Sequence, residues 1–167
     1  SEQSPFEFEL WYTPTHYGDL EADVALVIKE SLEETGMMRV TLKNAEWATY
    51  AAEYIAAGVM PIFLLGWYPD YIDPDDYTTI FLHSEWSPDM GVFYSDPQMD
   101  DWLEEASVET DISKRTELYE NIQRLMAEDA PVIPFFQGNL YTVFWPNVRG
   151  TVLDPTLILR YYLIYKE

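Results

Sequence analysis

The chain has no cysteine, two histidines, 7 glycines in 167 residues, and 9 basic side chains against 30 acids. Without cysteine there is no disulfide framework, thiolate nucleophile or Cys-ligated metal. His16 and His83 lie far apart in sequence and form no H-E-x-x-H pair, so zinc chemistry has no ligand set. A net charge of -21 repels the phosphate backbone on which nucleic-acid affinity rests, which excludes a DNA or RNA partner. The same sign disfavours attachment to anionic lipid surfaces through basic clusters. No apolar run approaches the roughly 18 residues of a membrane helix. Ser1-Glu2-Gln3 has nothing of a secretory n-region or h-region, so the expectation is a soluble chain carrying no signal segment. No G-x-S-x-G elbow, G-x-x-x-x-G-K-[ST] loop or G-x-G-x-x-G turn occurs, and no cofactor is expected.

What is present is aromatic and acidic. There are 13 Tyr, 8 Phe and 6 Trp, more Tyr and Trp than a core needs, so some rings are expected to face a ligand or partner. A chain of this length suffices for one domain, burying roughly 70% of the surface its unfolded form exposes.

Periodicity supplies the elements. Phe6, Phe8, Leu10 and Tyr12 alternate with Glu7, Glu9 and Trp11, the period of a half-buried strand. Asp19 then stands as N-cap for a helical stripe of Leu20, Val24, Val27, Ile28 and Leu32, closed by Gly36. Arg39 to Leu42 reads as a second strand. Trp47, Tyr50, Ala51, Tyr54 and Ile55 follow helical spacing up to Gly58, and the apolar Met60 to Leu65 reads as a buried third strand. Strand-helix-strand-helix-strand with short connections predicts an α/β fold with a mostly parallel sheet flanked by helices.

Beyond that, Asp73-Pro74-Asp75-Asp76 opens a helix through about Leu82, with Asp73 as its cap. Ser84 to Ser95 reads as loop. Asp96-Pro97 starts a helix bearing Met99, Trp102, Leu103 and Ala106, and Ser113 caps another with the stripe Leu118, Ile122, Leu125 and Met126. These two helices are expected on one sheet face. Pro131 to Phe136 predicts an edge or interrupted strand, Leu140 to Trp145 another, and Leu157 to Tyr165 a terminal one.

The stretch Gly66 to Tyr77 carries the chemistry. It follows the third strand, and open α/β sheets bind ligands beyond the carboxyl ends of their strands. A calcium loop counted from Asp70 fails, because position 3 is Ile72 and position 12 is Phe81. Capping and helix-dipole roles account for Asp73, Asp75 and Asp76, and no metal site is expected. Asp70 precedes the helix start by three residues and is not needed as its cap. It is either a loop acid in an Asx-turn or a carboxylate facing a cleft beside Trp67, Tyr68 and Tyr71, able to hold an ammonium or a sugar hydroxyl. Two acids of this loop could also act as acid and base in a glycoside or peptide hydrolase. A third possibility is an acidic interaction domain whose exposed rings meet a protein partner.

Ordered along the chain are the Phe6 to Trp11 strand, Glu-Thr-Gly before Arg39 to Leu42, Trp47-Ala48-Thr49-Tyr50, Gly66-Trp67 with a D-P-D-x-Y loop, the helix Arg115 to Ala127, Ala130-Pro131-Val132-Ile133-Pro134, and Gly150 to Pro155. In this the chain resembles the family 5 extracellular solute-binding proteins of ABC importers, the dipeptide-, oligopeptide- and nickel-binding group. The resemblance implies a non-enzymatic receptor that closes two lobes over a small ligand and delivers it to an ABC permease. It implies a periplasmic-binding-protein-like (type II) lobe at residues 1–145, the second of two, and a segment 146–167 that returns to the first lobe. The position matching the acid that binds a peptide's α-ammonium is Asp70, and Trp67 matches the aromatic beside it. The loop departs from the family at Pro69 and Ile72. Some members bind oligosaccharides, and Trp67, Tyr68, Tyr71 and Trp86 would suit sugar stacking. The implied location is extracellular, at the cell surface or in the periplasm. A lobe without its partner is expected to self-associate through its exposed terminal strand.

Overall fold

The computed structural model describes residues 4–139, 141–156 and 158–167. At its centre lies β1 (Phe6–Tyr12), paired in parallel with β2 (Met38–Asn44) on one side and β3 (Ile62–Phe63) on the other, so the sheet order is β2-β1-β3. Leu10 stands opposite both Leu42 and Ile62. The third strand is much shorter than the Met60 to Leu65 run, because only two residues reach β1's ladder before the chain departs at Leu64, whose N–H still bonds Trp11 O at 2.9 Å.

Helix α1 (Glu21–Glu33) covers one face, burying Ala25 against Leu10 and Val40, with Ile28, Leu32 and Leu64 around them. It begins at Glu21 behind Leu20, and no side chain caps it, so Asp19 is not the N-cap. Gly36 does close the turn, at φ +68. The helix also seals the sheet edge. Lys29 Nζ donates to Val40 O at 2.6 Å and Glu33 Oε1 accepts from Val40 N at 2.9 Å, which satisfies main-chain groups of an outer strand.

The opposite face is covered too. Here α2 (Trp47–Thr49) widens into a π-helical stretch, Tyr50–Ile55, in place of the regular helix its spacing predicts. Residues five apart share a face when bonding runs i→i+5, and Tyr50 and Ile55 are both buried, with Met60, against Trp11 and Phe63. Trp11 therefore sits in a core, its ring 5.1 Å from that of Tyr54, although the alternation of β1 marks it for the outer face.

The rest of the chain is helical before it becomes irregular. Helix α3 (Asp75–Leu82) leads through a 3-10 turn at Ser87–Met90 into α4 (Pro97–Val108) and α5 (Ile112–Asp129). Asp96 caps α4 through Met99 N, as its motif predicts. The cap of α5 is Asp111, which accepts from Ser113 N and Lys114 N; Ser113 is already inside the helix. The buried stripes of α4 and α5 meet each other and Leu82 of α3, in a cluster of Met99, Leu103, Ala106, Leu118, Tyr119 and Ile122. They form their own core and do not lie on the sheet.

Beyond α5 the predicted strands are absent among the described residues, except that Tyr165, the last residue of the Leu157 to Tyr165 run, opens a two-residue strand behind a 3-10 turn. Pro131 to Phe136 forms none, since Pro131 and Pro134 donate nothing to a ladder. Residues 141–145 form no regular element and face solvent, with Val143 92% and Trp145 79% exposed; Leu140 and Leu157 lie outside the described residues. The tail holds a two-residue pair, β4 (Val148–Arg149) with β5 (Tyr165–Lys166), antiparallel, and a 3-10 turn at Tyr161–Leu163.

A helical core of this kind responds to truncation by position. Leu103→Ala, at a site 1% exposed, is expected to cost about 2–5 kcal/mol, and Val108→Ala, 77% exposed on the same helix, less than about 0.5 kcal/mol. Urea unfolding of the two variants checks this, and equal midpoints would contradict the packing described.

Candidate functional site

Three loops converge at the carboxyl edge of the sheet. The chain leaves β1 at the buried Thr13 and reaches α1 through His16 and Tyr17; it leaves β2 directly into Trp47, and β3 through Gly66 into the acidic loop. The connection from β1 leads to β2 on one side of it and the next, from β2, crosses to β3 on the other, so the direction of winding reverses beside β1, the place where α/β sheets open a crevice. Rings from all three loops gather there. The His16 ring lies flat on Trp47 at 3.8 Å and 4°, Tyr17 meets Trp47 edge-on at 5.6 Å, and Tyr68 stands 6.4 Å from Tyr17. Glycine is required at 66 by this approach, since a Cβ there would sit 2.8 Å from the Tyr17 ring. Beneath the rings, Tyr50 donates to Leu64 O at 2.7 Å. Burial pushes the Tyr17 phenol up to about 12 and raises that of Tyr50, with the Glu21 carboxyl nearby adding to both. Glu21 is itself raised by burial, against the opposing pull of the Thr13 and Tyr17 amides.

The loop from Gly66 to Tyr77 holds four aspartates, and three are spoken for. Asp73 receives a two-pronged bond from Arg115, Nη2 to Oδ1 at 2.7 Å and Nη1 to Oδ2 at 2.9 Å, while its Oδ1 accepts from Asp75 N at 2.9 Å. The Arg115 guanidinium, chiefly through these bonds, holds the Asp73 carboxyl below the usual carboxylate range. Arg115 Nε donates to Ala106 O at 2.8 Å, and the guanidinium lies 5.2 Å from the Tyr119 ring centre, so this one side chain joins the loop to α4 and α5. Asp75 accepts from Thr79 Oγ1 and from the Tyr71 hydroxyl, and that second bond is the main reason the Tyr71 phenol is raised. Asp76, only 6% exposed, accepts at Oδ2 from Trp67 Nε1 at 3.1 Å and from Asp70 N at 3.2 Å. The Asp70 side chain is exposed, and its carboxylate has no hydrogen-bond or ion-pair partner among the described residues.

Comparison with known proteins fits this architecture. The family described as bacterial extracellular solute-binding proteins, family 5 Middle, matches residues 2–89. The chain belongs to that family. Among curated relatives it is 29% identical over 136 residues to the probable D,D-dipeptide-binding periplasmic protein DdpA of Escherichia coli, covering 80% of this chain and 26% of that protein. It is 26% identical over 142 residues to the oligopeptide-binding protein OppA of Bacillus subtilis, covering 83% and 25%. A solved dipeptide-binding protein from Pseudoalteromonas sp. SM9913, in complex with Met-Leu, superposes with a TM-score of 0.84 at 24% identity, over 98% of this chain and 32% of that one. The chain thus spans about a quarter of the length of the curated relatives. The α/β lobe expected from the sequence is the fold observed.

Within this family 5 chain, the residues singled out from the sequence divide into groups. Trp67 and Asp70 are brought together through the shared Asp76 oxygen. Trp67 is half-buried, edge-on to Phe81 at 5.3 Å. Tyr68 joins Tyr17, and Tyr71 turns to Asp75. Trp86 lines a different concavity, a groove of about 220 Å³ with Asp75, Thr79, His83, Leu103 and Glu104. His83 there receives the Glu85 N–H at Nδ1, which leaves Nε2 facing Glu104 at 3.5 Å. Among the described residues no group of three or more His, Asp or Glu is arranged to hold a metal ion. His16, Tyr17, Trp47 and Asp76 were not singled out from the sequence as site residues. The first three lie in the connections that follow predicted strands and were accessible by that rule; the bonds of Asp76 to residues six and nine positions earlier have no sequence signature.

The Asp73 bridge makes stability depend on pH. Its folded value is depressed, so its contribution is complete above the unfolded value of about 3.9 and is lost as pH falls through the lower folded value. Asp73→Asn should lower Tm at pH 7, and its deficit against the parent should shrink steadily below about pH 4. Thermal unfolding between pH 7 and pH 2 checks this; a deficit that grows on acidification would contradict it.

Proposed function

We propose that this chain is the ligand-binding second lobe of an importer's receptor, which takes up a dipeptide or oligopeptide between two lobes and presents the closed complex to an ABC permease. In this reading residues 1–145 form the lobe and 146–167 return to the first lobe, outside the present chain. The receptor works outside the cytoplasmic membrane, in the periplasm or at the cell surface, and catalyses no reaction.

The observation that carries the proposal is the free carboxylate of Asp70 in the loop that follows β3, close in the chain to Trp67 and Tyr68, where the other acids are engaged. A hydrolase would need a second free carboxylate to work with it, and the other three aspartates of this loop are all engaged. A single fixed negative charge suits the α-ammonium of a peptide, while the rings of Tyr17, Trp47 and Tyr68 offer apolar faces for side chains. Dipeptide and oligopeptide names among the relatives favour a peptide over an oligosaccharide. Because the exposed tail includes Phe136, Tyr141, Val143, Trp145 and Tyr162, a contiguous first lobe is the natural cover for it.

Two measurements test this. In the full-length protein, Asp70→Asn should weaken binding of a free-amine dipeptide roughly 10- to 150-fold, the equivalent of one charge-assisted hydrogen bond, with Tm nearly unchanged. Equal affinities by calorimetry remove Asp70 from the site. The isolated chain, with its apolar tail uncovered, should sediment as a concentration-dependent dimer or larger species, and a monomer at high concentration would count against the missing-lobe account.

A further inference from the structure

Asp76 is an unusual residue for its position. It is 6% exposed, carries a carboxylate, and has no cation against it among the described residues. A charge taken out of water needs compensation. Part comes from its place in the first turn of α3, where the helix dipole favours an anion. A residue kept there for capping alone would accept the helix's own first amides. The bonds of Asp76 run elsewhere: Oδ2 accepts the Trp67 indole at 3.1 Å and the Asp70 main-chain N–H at 3.2 Å. Both donors belong to residues already placed at the site, and neither belongs to α3.

We propose that Asp76 is the positioning residue of the peptide site: through one oxygen it fixes the Trp67 ring and the Asp70 main chain relative to each other, so that the Asp70 carboxylate is aimed before ligand arrives. The inference rests on the receptor reading above. Its physical basis is preorganisation. An exposed aspartate on a free loop would lose rotational and backbone freedom on gripping an ammonium, whereas a main chain already pinned at its own amide gives up less. The pin is set from inside. The Asp73–Arg115 fork anchors the same loop to α5 three residues before Asp76, so the segment that carries Asp76 is itself tied down. The role is specific in a second way: the acceptor must be an oxygen at that place, which asparagine also supplies and alanine does not.

The test compares Asp76→Asn and Asp76→Ala in the full-length protein, using Ala-Leu and N-acetyl-Ala-Leu as probes. The parent's preference for the free amine should fall about tenfold in Asp76→Ala and persist in Asp76→Asn. Equal weakening of both probes, or loss in Asp76→Asn as large as in Asp76→Ala, overturns the proposal in favour of a purely structural or purely charge-based role. A ligand-free arm separates this from failure of the receptor reading. If the parent binds neither probe, that reading fails, and NMR of the unliganded protein still decides on the pin. Amide exchange at Asp70 and at the Trp67 indole should accelerate in Asp76→Ala and stay slow in Asp76→Asn, and unchanged protection in Asp76→Ala overturns the proposal.

Discussion

The fork between Arg115 and Asp73 is the joint on which the rest of the molecule turns. It spans 42 residues of sequence and links two bodies that otherwise have separate cores, the sheet with its two helical covers and the α3–α4–α5 unit. An ion pair left in water contributes about 0–1 kcal/mol. This one has features such pairs lack: a planar guanidinium matched to both carboxylate oxygens, a third bond to Ala106 O, and a tyrosine ring beside it. Lysine could not reproduce the fork. The consequence reaches the site, because Asp73 stands between Asp70 and Asp76 in the loop that leaves β3.

Seen from that joint, the acidity of the loop sorts itself out. Four carboxylates within seven residues would repel one another if all were bare. Asp73 is matched by a cation, Asp75 by two hydroxyls, and Asp76 by an indole, an amide and a helix N-terminus. Asp70 alone is left to solvent. A concentrated negative potential with one accessible oxygen pair is the feature that the proposed recognition of a peptide's ammonium rests on.

The sheet and its flanking helices were legible because their signals are local. The alternation of Phe6 to Tyr12 and the turn glycines Gly36 and Gly58, both at positive φ, depend on residues a few positions apart. Asp70 stood apart in the sequence only because it precedes α3 by several residues; its neighbours are engaged chiefly by Arg115, Tyr71, Thr79 and Trp67, partners that the capping rule did not name. Where the reading failed, the deciding partner was remote or two candidates were equivalent. Asp111 and Ser113 are both good caps, and Asp111 wins because its carboxylate reaches two amides. The same hydrophobic spacing predicts α4 and α5 whether their stripes meet a sheet or each other. The apolar runs after α5 look like strands, yet a strand exists only where another chain segment supplies its ladder.

The sequence by itself determined the parallel α/β order and the acid-and-aromatic composition of the loop after β3, because each follows from spacing, turn chemistry or residue type over a few neighbours. Only the tertiary structure decided which carboxylates are neutralised, that Trp86 faces another groove, that His16, Tyr17 and Trp47 share an edge with Tyr68, and that Asp76 holds Trp67 and Asp70 together. Those outcomes depend on distances between elements far apart in the chain, set by how three small cores settle against one another.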